Sequence, residues 1–343
     1  MYEKILIIFL VINLPLVFFY EPITKRINLF DHGDNKRKFQ KKPVALIGGI
    51  LIVYNFFFFN IIDFFFIKEI TKNLNFTSNR EYFSLFFGLI SFFIIGLYDD
   101  KYNLSANKKL SVIFFLLLFL ILIDENLLIT KLYFSFFSND IELKKFSYFF
   151  TILSILLFLN ALNMFDGINL QVGFYSLTIF LIFISKNIFP IYTFIFILTI
   201  SYFLIINFQN KGFLGDNGTL VLGFVISYFL IKSYNLNASF TPEEIFVILS
   251  IPGLDMLRLF IYRLLDGKNP FTSDINHMHH LISRRYNNII AFLIIQGLIV
   301  FNGILFYYID EKLIVLLLNI SSYILIFLIF KKECVKNLED YQR

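Results

Sequence analysis

Three polar residues, each three positions after the last, follow an apolar run near the middle of the chain. Asn160, Asn163 and Asp166 follow the run from Phe146 to Leu159, and Gly167 comes directly after them. In a helix these three side chains would share one face, and glycine is a common residue at a helix end. Amides and a carboxylate at the end of an apolar helix are costly in lipid unless they serve a polar site. We interpret them as one wall of an active site at a membrane surface; a capped helix end among the headgroups is the alternative.

A pair of adjacent carboxylates forms the second polar group. Asp99 and Asp100 follow the apolar run from Tyr82 to Tyr98, and Lys109 stands shortly before the next run. Adjacent carboxylates repel each other, so a cation or a hydrogen-bond donor must compensate them at a membrane surface. The pair therefore suggests phosphate or metal chemistry, although taken alone it fits a solvated turn better.

A glycine-rich stretch from Gly212 to Thr219 forms the third group. Glycines on both sides of Asp216 let the backbone turn tightly and bring the carboxylate close to a ligand. The apolar run that follows predicts a helix, whose N-terminus offers free N–H groups to an anion. A hard cation with a diphosphate would suit this corner; a plain turn with an N-cap is the alternative.

The fourth group is a histidine cluster. Three of the 4 histidines of the chain, His277, His279 and His280, stand within four residues, in a predicted loop that also contains Arg263. Zinc is poorly supported, because neither cysteine nor a second spaced histidine pair accompanies them. Imidazole and guanidinium groups suit anionic phosphate oxygens better. A solvated polar loop is the alternative.

The elements that must position these groups are membrane helices. The chain has 343 residues, 58% of them hydrophobic, with 49 phenylalanines and a mean hydropathy of +0.73, a composition that favours an integral membrane protein over a soluble globular domain. The apolar runs approach the length of about 20 residues that a bilayer core demands, and no long polar segment divides them. We predict an all-α, polytopic membrane helix bundle of about eleven helices that forms a single domain over residues 1–343. The predicted spans are Ile5–Tyr20, Pro43–Ile67, Tyr82–Tyr98, Leu110–Ile123, Phe146–Ala161, Ile168–Ser185, Ile188–Phe208, Thr219–Ile231, Glu244–Tyr262, Ile289–Tyr308 and Leu313–Phe330.

One predicted span contains two charged residues. Asp255 and Arg258 lie at positions i and i+3 within Glu244–Tyr262. This spacing places their side chains next to each other on a helix, so we interpret them as an intramembrane ion pair.

The distribution of basic residues predicts the orientation. Lys and Arg are more numerous on the side that contains the four polar groups, which the positive-inside rule makes cytoplasmic. The N-terminus is then outside and the C-terminus inside. The first loop on that side, from Asp31 to Pro43, is strongly basic and would attract anionic headgroups or phosphates. A topology signal alone is the alternative for this loop.

Together these groups resemble the polyprenyl-phosphate N-acetylhexosamine-1-phosphate transferases, the superfamily that includes phospho-N-acetylmuramoyl-pentapeptide transferase. The resemblance runs in order from about residue 31 to 281. The histidine motif looks like the branch that uses simple UDP-N-acetylhexosamines. The matching positions are Asp99, Asp100 and Lys109; Asn160, Asn163, Asp166 and Gly167; Phe213, Gly215, Asp216 and Gly218; and His277, His279 and His280.

The resemblance implies transfer of N-acetylhexosamine 1-phosphate from a UDP-sugar to polyprenyl (undecaprenyl) phosphate. UDP-N-acetylglucosamine is the expected donor, polyprenyl-diphospho-sugar and UMP are the products, and the step would initiate a cell-surface glycan such as an O-antigen. A phosphate monoester is already mostly dianionic at neutral pH. The harder task is to bring two anions together and to neutralise the departing charge.

Residue roles follow from the same resemblance. Asp216 and Asn163 would hold Mg²⁺, with Mn²⁺ as an alternative, on the diphosphate. The lipid phosphate would lie at Asp99 and Lys109, with Asp100 nearby. The expected catalytic residues are Asp99, Asp100, Lys109 and Asp216, and the expected substrate-binding residues are Asn160, Asn163, Asp166, Arg263, His277, His279 and His280.

The expected location is the bacterial cytoplasmic membrane, with the active site on the cytoplasmic face. No nucleic-acid partner is expected, and a homodimer is one alternative for the oligomeric state. A transporter or lipid flippase is the rival class. It would carry charges near the bilayer midplane and repeated halves, and the sequence contains no internal repeat. A histidine-based metal protein is a further rival.

Overall fold

The computed structural model describes residues 2–31, 42–67, 78–267 and 276–341, with the backbone alone for residues 332–341. Most of the basic first loop, the segment 268–275 before the histidines and the C-terminal residues 342–343 lie outside the described residues. The helices of the described part are α1 (Tyr2–Phe18), α2 (Tyr20–Ile27), α3 (Gly48–Ile62), α4 (Asn79–Tyr102), α5 (Ala106–Ile123), α6 (Ser147–Phe165), α7 (Gln171–Ser185), α8 (Pro190–Phe208), α9 (Gly215–Asn237), α10 (Pro242–Leu265), α11 (Met278–Arg285), α12 (Asn288–Tyr308) and α13 (Lys312–Tyr341).

The predicted all-α membrane class is confirmed, and each predicted span contains a helix. Among the described residues, 9 helices are long and apolar enough to cross a membrane. A tenth span results if α1 and α2, which meet at a bend of 74°, are counted as one. Helix α7 is apolar but has only 15 residues, about 22 Å at 1.5 Å per residue. The total of eleven therefore stays a prediction, because it requires both the bent pair and this short helix.

Two small sheets accompany the helices. The strands are β1 (Phe30–Asp31), β2 (Val44–Leu46), β3 (Lys131–Leu132), β4 (Ile141–Glu142) and β5 (Gly212–Phe213). Strand β2 pairs antiparallel with β1 and parallel with β5, with Ala45 opposite Gly212. Because β2 leads directly into α3 and β5 leads directly into α9, the parallel pair sets the starts of these two helices side by side.

The chain divides into two compact units. Unit 1 comprises Met1–Leu128 and Val172–Asn237, and unit 2 comprises Ile129–Gln171 and Ala238–Arg343. The carboxylate pair, the lysine and the glycine-rich stretch belong to unit 1. The asparagine motif and the histidine motif belong to unit 2. The single membrane domain stays a prediction.

Helix α9 is the central element of unit 1. Its membrane-span segment is 89% buried, against 22% for that of α5. A helix that is apolar on all sides is expected to be buried in this way. It packs along α4, where Gly88 makes room for the Phe224 ring and Phe92 stacks on that ring at 4.8 Å. The two helices run antiparallel, because the end of α4 meets the start of α9.

The far end of the α4–α9 pair contains a buried ion-pair network. The Lys232 side chain is fully buried and contacts the carboxylates of Glu81 and Asp124. The sequence predicts a span that ends at Ile231, but α9 continues to Asn237 because these carboxylates satisfy the lysine inside the unit.

Unit 2 is assembled around α10, which packs against α6, α12 and α13. Helix α11 packs against α12 and α13. The β3–β4 hairpin precedes α6 and is closed by an ion pair between Lys131 and Glu142 at 3.3 Å. This arrangement places the histidine motif, which begins α11, on the framework formed by α10, α12 and α13.

Candidate active site

One lysine joins two carboxylates from different helices in unit 1. The Nζ atom of Lys109, in the first turn of α5, lies 2.7 Å from Oδ2 of Asp99 and 2.5 Å from Oδ2 of Asp216. Asp99 comes from the last turn of α4, and Asp216 from the first turn of α9. Asp216 is therefore in direct contact with Lys109, although the sequence separates the two residues by more than a hundred positions.

Asp100 has a different environment from its neighbour. Its Oδ1 accepts the backbone N–H of Asp216 at 2.8 Å, and its Oδ2 accepts the backbone N–H of Asn217 at 3.0 Å and the Asn217 amide at 2.5 Å. A carboxylate on the unpaired N–H groups of a helix start is favoured by hydrogen bonding and by the helix dipole. The N-terminus predicted to bind a substrate anion thus holds Asp100 in this structure. Its role among the catalytic residues stays a prediction.

Glycines allow the start of α9 to lie this close to its neighbours. Gly215 adopts a φ of +70°, which favours glycine, and a Cβ there would approach an Asp100 oxygen to 2.9 Å. Side chains at Gly49 of α3 or Gly96 of α4 would overlap the backbone of Asn217. The start of α9 is therefore held between α3 and α4, which fixes the position of the Asp216 carboxylate.

The end of α4 differs from the prediction. The sequence predicts a span that ends at Tyr98, with the carboxylates after it, but α4 continues to Tyr102. Asn103 caps it in the left-handed conformation with a φ of 52°, and its N–H donates to the Asp99 carbonyl at 2.8 Å. Asp99 Oδ1 accepts the Leu104 N–H at 2.7 Å. These bonds orient the other oxygen of Asp99 for Lys109.

In unit 2, the asparagine motif ends α6. Asn160 and Asn163 lie in the helix, but the helix ends at Phe165, so Asp166 is the C-cap and not a third residue of the same face. Asn160 donates to the Leu156 carbonyl of its own helix at 2.8 Å. Gly167 follows the cap, close to the helix end that the sequence predicts.

The histidine motif forms the start of a helix and not a loop. His277 is the N-cap of α11, and His279 and His280 lie in its first turn. The His277 and His279 rings stack with centroids 5.3 Å apart, and the His279 and His280 rings lie at 4.2 Å. Met278 and Ile282 are buried, and this apolar face folds the segment as a helix against unit 2.

Arg263 is also placed differently from the prediction. It lies within the last turn of α10 and is 3% exposed, whereas the sequence predicts a loop position. The helix extends three residues beyond the predicted end at Tyr262. Because the Arg263 side chain is buried within the protein, its charge does not end the helix, and the apolar run alone underestimates the helix.

Gly167 and His279 connect the two motifs of unit 2. A Cβ at Gly167 would overlap Nε2 of His279, a buried atom that has no hydrogen-bond partner among the described residues. Burial, together with the neighbouring His280 and His277, lowers the pKa of His279 well below its ordinary value. The ring is therefore neutral at neutral pH, and its Nε2 lies beside the one position of the asparagine motif that has no side chain.

Replacing Gly167 by Ala is expected to displace the His279 ring or the end of α6. Overpacking of this kind costs about 1–3 kcal/mol, and a displacement near 1 Å reduces turnover roughly 10- to 100-fold when the residue contacts substrate. Sugar-phosphate transfer and thermal unfolding of the purified protein measure the two effects. Gly253→Ala in α10 is the matched control, because nothing lies within 4 Å of the added methyl group. Equal activity of the two variants would contradict this expectation.

Two residues that make important contacts in the structure were not predicted as site residues from the sequence. Asn217 links Asp100 to α9, and Asp255 contacts His277 at 2.9 Å in addition to its ion pair with Arg258 at 2.9 Å. The predicted ion pair is thus confirmed but incomplete. The signal for Asp255 was available, since a carboxylate within a membrane helix suggests a functional position. Asn217 had no signal beyond its place in the glycine-rich stretch.

The donor chemistry of the unit 1 cluster fits a hard cation. Lys109 contacts Asp99 and Asp216, and Asp100 is held by N–H groups at the start of α9, so three carboxylates lie close together around this lysine. The Asp216 side chain is 31% exposed, against 9% for Asp99, and is the more accessible carboxylate. No three His, Cys, Asp or Glu residues of the described ranges are arranged as a metal site of their own. Mg²⁺ commonly takes one or two protein carboxylates and completes its shell with substrate phosphates and water, so these residues fit it.

Comparison with known proteins agrees with the predicted resemblance. Residues 82–234 match the family model of glycosyl transferase family 4. This range contains the carboxylate pair, the asparagine motif and Asp216, but not the histidines.

Three similar relatives are each named undecaprenyl-phosphate alpha-N-acetylglucosaminyl 1-phosphate transferase. The protein of Escherichia coli O157:H7 is 30% identical over 171 residues, which cover 46% of this chain and 47% of the relative. That of Yersinia pestis is 31% identical over 157 residues, or 42% and 43% of the two chains. That of Pasteurella multocida (strain Pm70) is 37% identical over 75 residues, or 22% and 21%. The chain spans about half the length of the curated relatives it matches, and the resemblance predicted from the motifs is confirmed.

Proposed function

We propose that this chain transfers N-acetylhexosamine 1-phosphate from a UDP-sugar, with N-acetylglucosamine as the favoured sugar, to undecaprenyl phosphate. An oxygen of the lipid phosphate attacks the β-phosphorus of the nucleotide sugar. The bond between that phosphorus and the bridging oxygen breaks, and the electron pair leaves with UMP. The products are undecaprenyl-diphospho-sugar and UMP. The names of the similar relatives and the motif order support this reaction class.

The contact of Lys109 with Asp99 and Asp216 is the observation that carries the proposal. The lysine supplies a positive charge where two anionic phosphates must approach each other. Its two carboxylate partners hold the flexible side chain in one position, so less ordering is needed when the substrates bind. We assign Asp99 and Lys109 to the lipid phosphate. Because the lipid phosphate is already mostly ionised at neutral pH, positioning and charge neutralisation matter more than a strong base.

Asp216 is the residue that we expect to hold Mg²⁺ on the diphosphate of the nucleotide sugar, with Asn163 as the second protein ligand. The closeness of three carboxylates, Asp99, Asp100 and Asp216, supports a bound cation, because carboxylate oxygens are ligands that Mg²⁺ takes. When bound, the cation supplies charge neutralisation to the β-phosphate and to the departing UMP. Asp100 holds the α9 start, and with it the backbone that carries Asp216.

The unit 2 motifs are assigned to the nucleotide sugar. Asn160, Asp166 and Arg263 offer amide, carboxylate and guanidinium groups. The histidines offer imidazole groups, and the neutral state of His279 suits a hydrogen bond to an uncharged sugar or base group as well as to phosphate. The histidine motif lies outside the residues that match the family model. Our proposal for the sugar therefore rests on the histidines of this chain and not on the family match.

To test the proposal, the protein is produced in a bacterial inner membrane, from which sealed inside-out vesicles are prepared. The vesicles are then incubated with undecaprenyl phosphate and a panel of UDP-sugars. Mass analysis of the lipid extract is expected to show one added N-acetylhexosamine phosphate, and UMP is expected in the supernatant. EDTA should stop the reaction and Mg²⁺ should restore it. Right-side-out vesicles should be inactive, because we place the site on the cytoplasmic face. No product with any UDP-sugar would refute the proposal, and activity in EDTA would refute the bound cation.

A further inference from the structure

The Asp255 carboxylate is the centre of a buried hydrogen-bond network in unit 2. Asp255 is 4% exposed and lies in α10. Its Oδ1 accepts from Arg258 Nη2 at 2.9 Å and from the Tyr323 hydroxyl at 3.0 Å. Its Oδ2 lies 2.9 Å from Nδ1 of His277. Charge balance for Arg258 requires only the first of these contacts, so the others need a separate explanation.

The same carboxylate holds the backbone at the start of α11. The Met278 N–H lies 3.2 Å and 3.4 Å from the two oxygens of Asp255. His277 is the N-cap of α11, yet its side chain makes no capping bond, so Asp255 takes over this role from another helix. Arg258 donates from Nη2 to the Asn276 carbonyl at 2.7 Å. Residues 276–278 are therefore held on both sides of the backbone.

The contact also determines which nitrogen of His277 carries a proton. An ionised carboxylate only accepts hydrogen bonds, so Nδ1 must be the donor. Nε2 is then the nitrogen that remains for a ligand, as in other sites where a carboxylate orients an imidazole. Because the His277 ring stacks on His279 with an interplanar angle of 5°, a rotation of His277 would also displace His279 from Gly167.

We propose that Asp255 is a positioning residue of the transferase, which fixes the tautomer and the orientation of His277 so that Nε2 is presented to the nucleotide sugar. This inference rests on the proposed function. Tyr323 and Arg258 hold the carboxylate in turn, so α10, α11 and α13 together determine where the histidines lie. Asp255 acts through His277 and does not itself contact substrate.

A double-mutant cycle on the full chain tests this role. Asp255→Asn keeps the shape of the side chain but offers one acceptor and one amide, so the imidazole can adopt the other tautomer. It is expected to lower kcat/KM for UDP-N-acetylglucosamine by about tenfold or more. In the His277→Gln background the same substitution is expected to have a clearly smaller effect, because the imidazole is gone and only the contacts of Asp255 with Met278, Arg258 and Tyr323 are left to lose. Equal losses in both backgrounds would show a purely structural role and would overturn the inference.

Control variants and a binding measurement distinguish failure of the Asp255 inference from failure of the proposed function. Glu243→Gln removes another buried carboxylate of α10, one that accepts the Ser135 N–H, and is expected to remain active. If Asp255→Asn does not accumulate in membranes, Tyr323→Phe replaces it in the double-mutant cycle, and a smaller loss of kcat/KM is expected. If turnover of His277→Gln is too low to measure, the cycle uses equilibrium binding of radiolabelled UDP-N-acetylglucosamine. Wild-type protein without lipid product refutes the proposed function, whereas an active wild type with additive losses refutes only Asp255.

Discussion

Asp216→Asn is expected to abolish sugar-phosphate transfer, with a loss of about 1,000-fold or more. The substitution keeps the size of the side chain but removes the charge that Lys109 contacts at 2.5 Å and the ligand that we assign to the cation. Loss of one preorganised electrostatic group commonly costs about 100- to 1,000-fold, and here two interactions disappear together. Because Asp100 holds the backbone of Asp216 and not its side chain, the turn itself should survive.

Incorporation of radiolabelled N-acetylglucosamine phosphate into the lipid extract of washed membranes measures the effect. Asp140→Asn is the matched control, because Asp140 lies exposed in the loop between β3 and β4. The control should retain wild-type transfer and the same membrane abundance. Full transfer by Asp216→Asn would remove Asp216 from both the catalytic and the metal roles.

Lys232→Met is expected to destabilise unit 1 by about 3–5 kcal/mol, the largest effect on stability that the structure suggests. Lys232 Nζ lies 2.6 Å from Asp124 Oδ1 and 3.1 Å from Glu81 Oε1, and all three side chains are buried. Methionine has a similar length but no charge, so two carboxylates would remain buried without their cation. The hydroxyl of Ser84 and the amide of Asn126, which donate to Asp124 and Glu81, are neutral and cannot replace the lost charge.

Thermal unfolding of the detergent-purified protein measures this loss. Lys131→Met is the matched control, because Lys131 forms an exposed ion pair with Glu142 and should unfold at the wild-type temperature. A triple variant with Glu81→Gln and Asp124→Asn is expected to recover part of the loss, since it no longer leaves charges unpaired. Identical unfolding of Lys232→Met and wild type would show that the network contributes no net stability.

The sequence predicts much of this protein because a bilayer makes local information decisive. Every long apolar run had to form a helix, since no other open-chain structure satisfies its backbone groups in lipid. The residue types of the motifs also predicted phosphate chemistry, and Asp99, Lys109 and Asp216 are in contact as a common site requires. Helix ends were predicted less well, because a charged residue such as Lys232 is tolerated inside a helix when distant carboxylates satisfy it.

Contacts between distant segments were decided only by the tertiary structure. The sequence contains no signal that Asp100 caps α9, that His279 lies against Gly167, or that Asp255 holds the first residues of α11. Each of these contacts joins residues that are far apart in the sequence and lie in or next to different helices. The geometry of the contact therefore depends on how closely the two helices approach. That approach is set by small residues such as Gly49 and Gly96 and by side-chain packing along the whole helix. Residue types therefore determined the available chemistry, and packing determined which groups meet and which nitrogen or oxygen each presents.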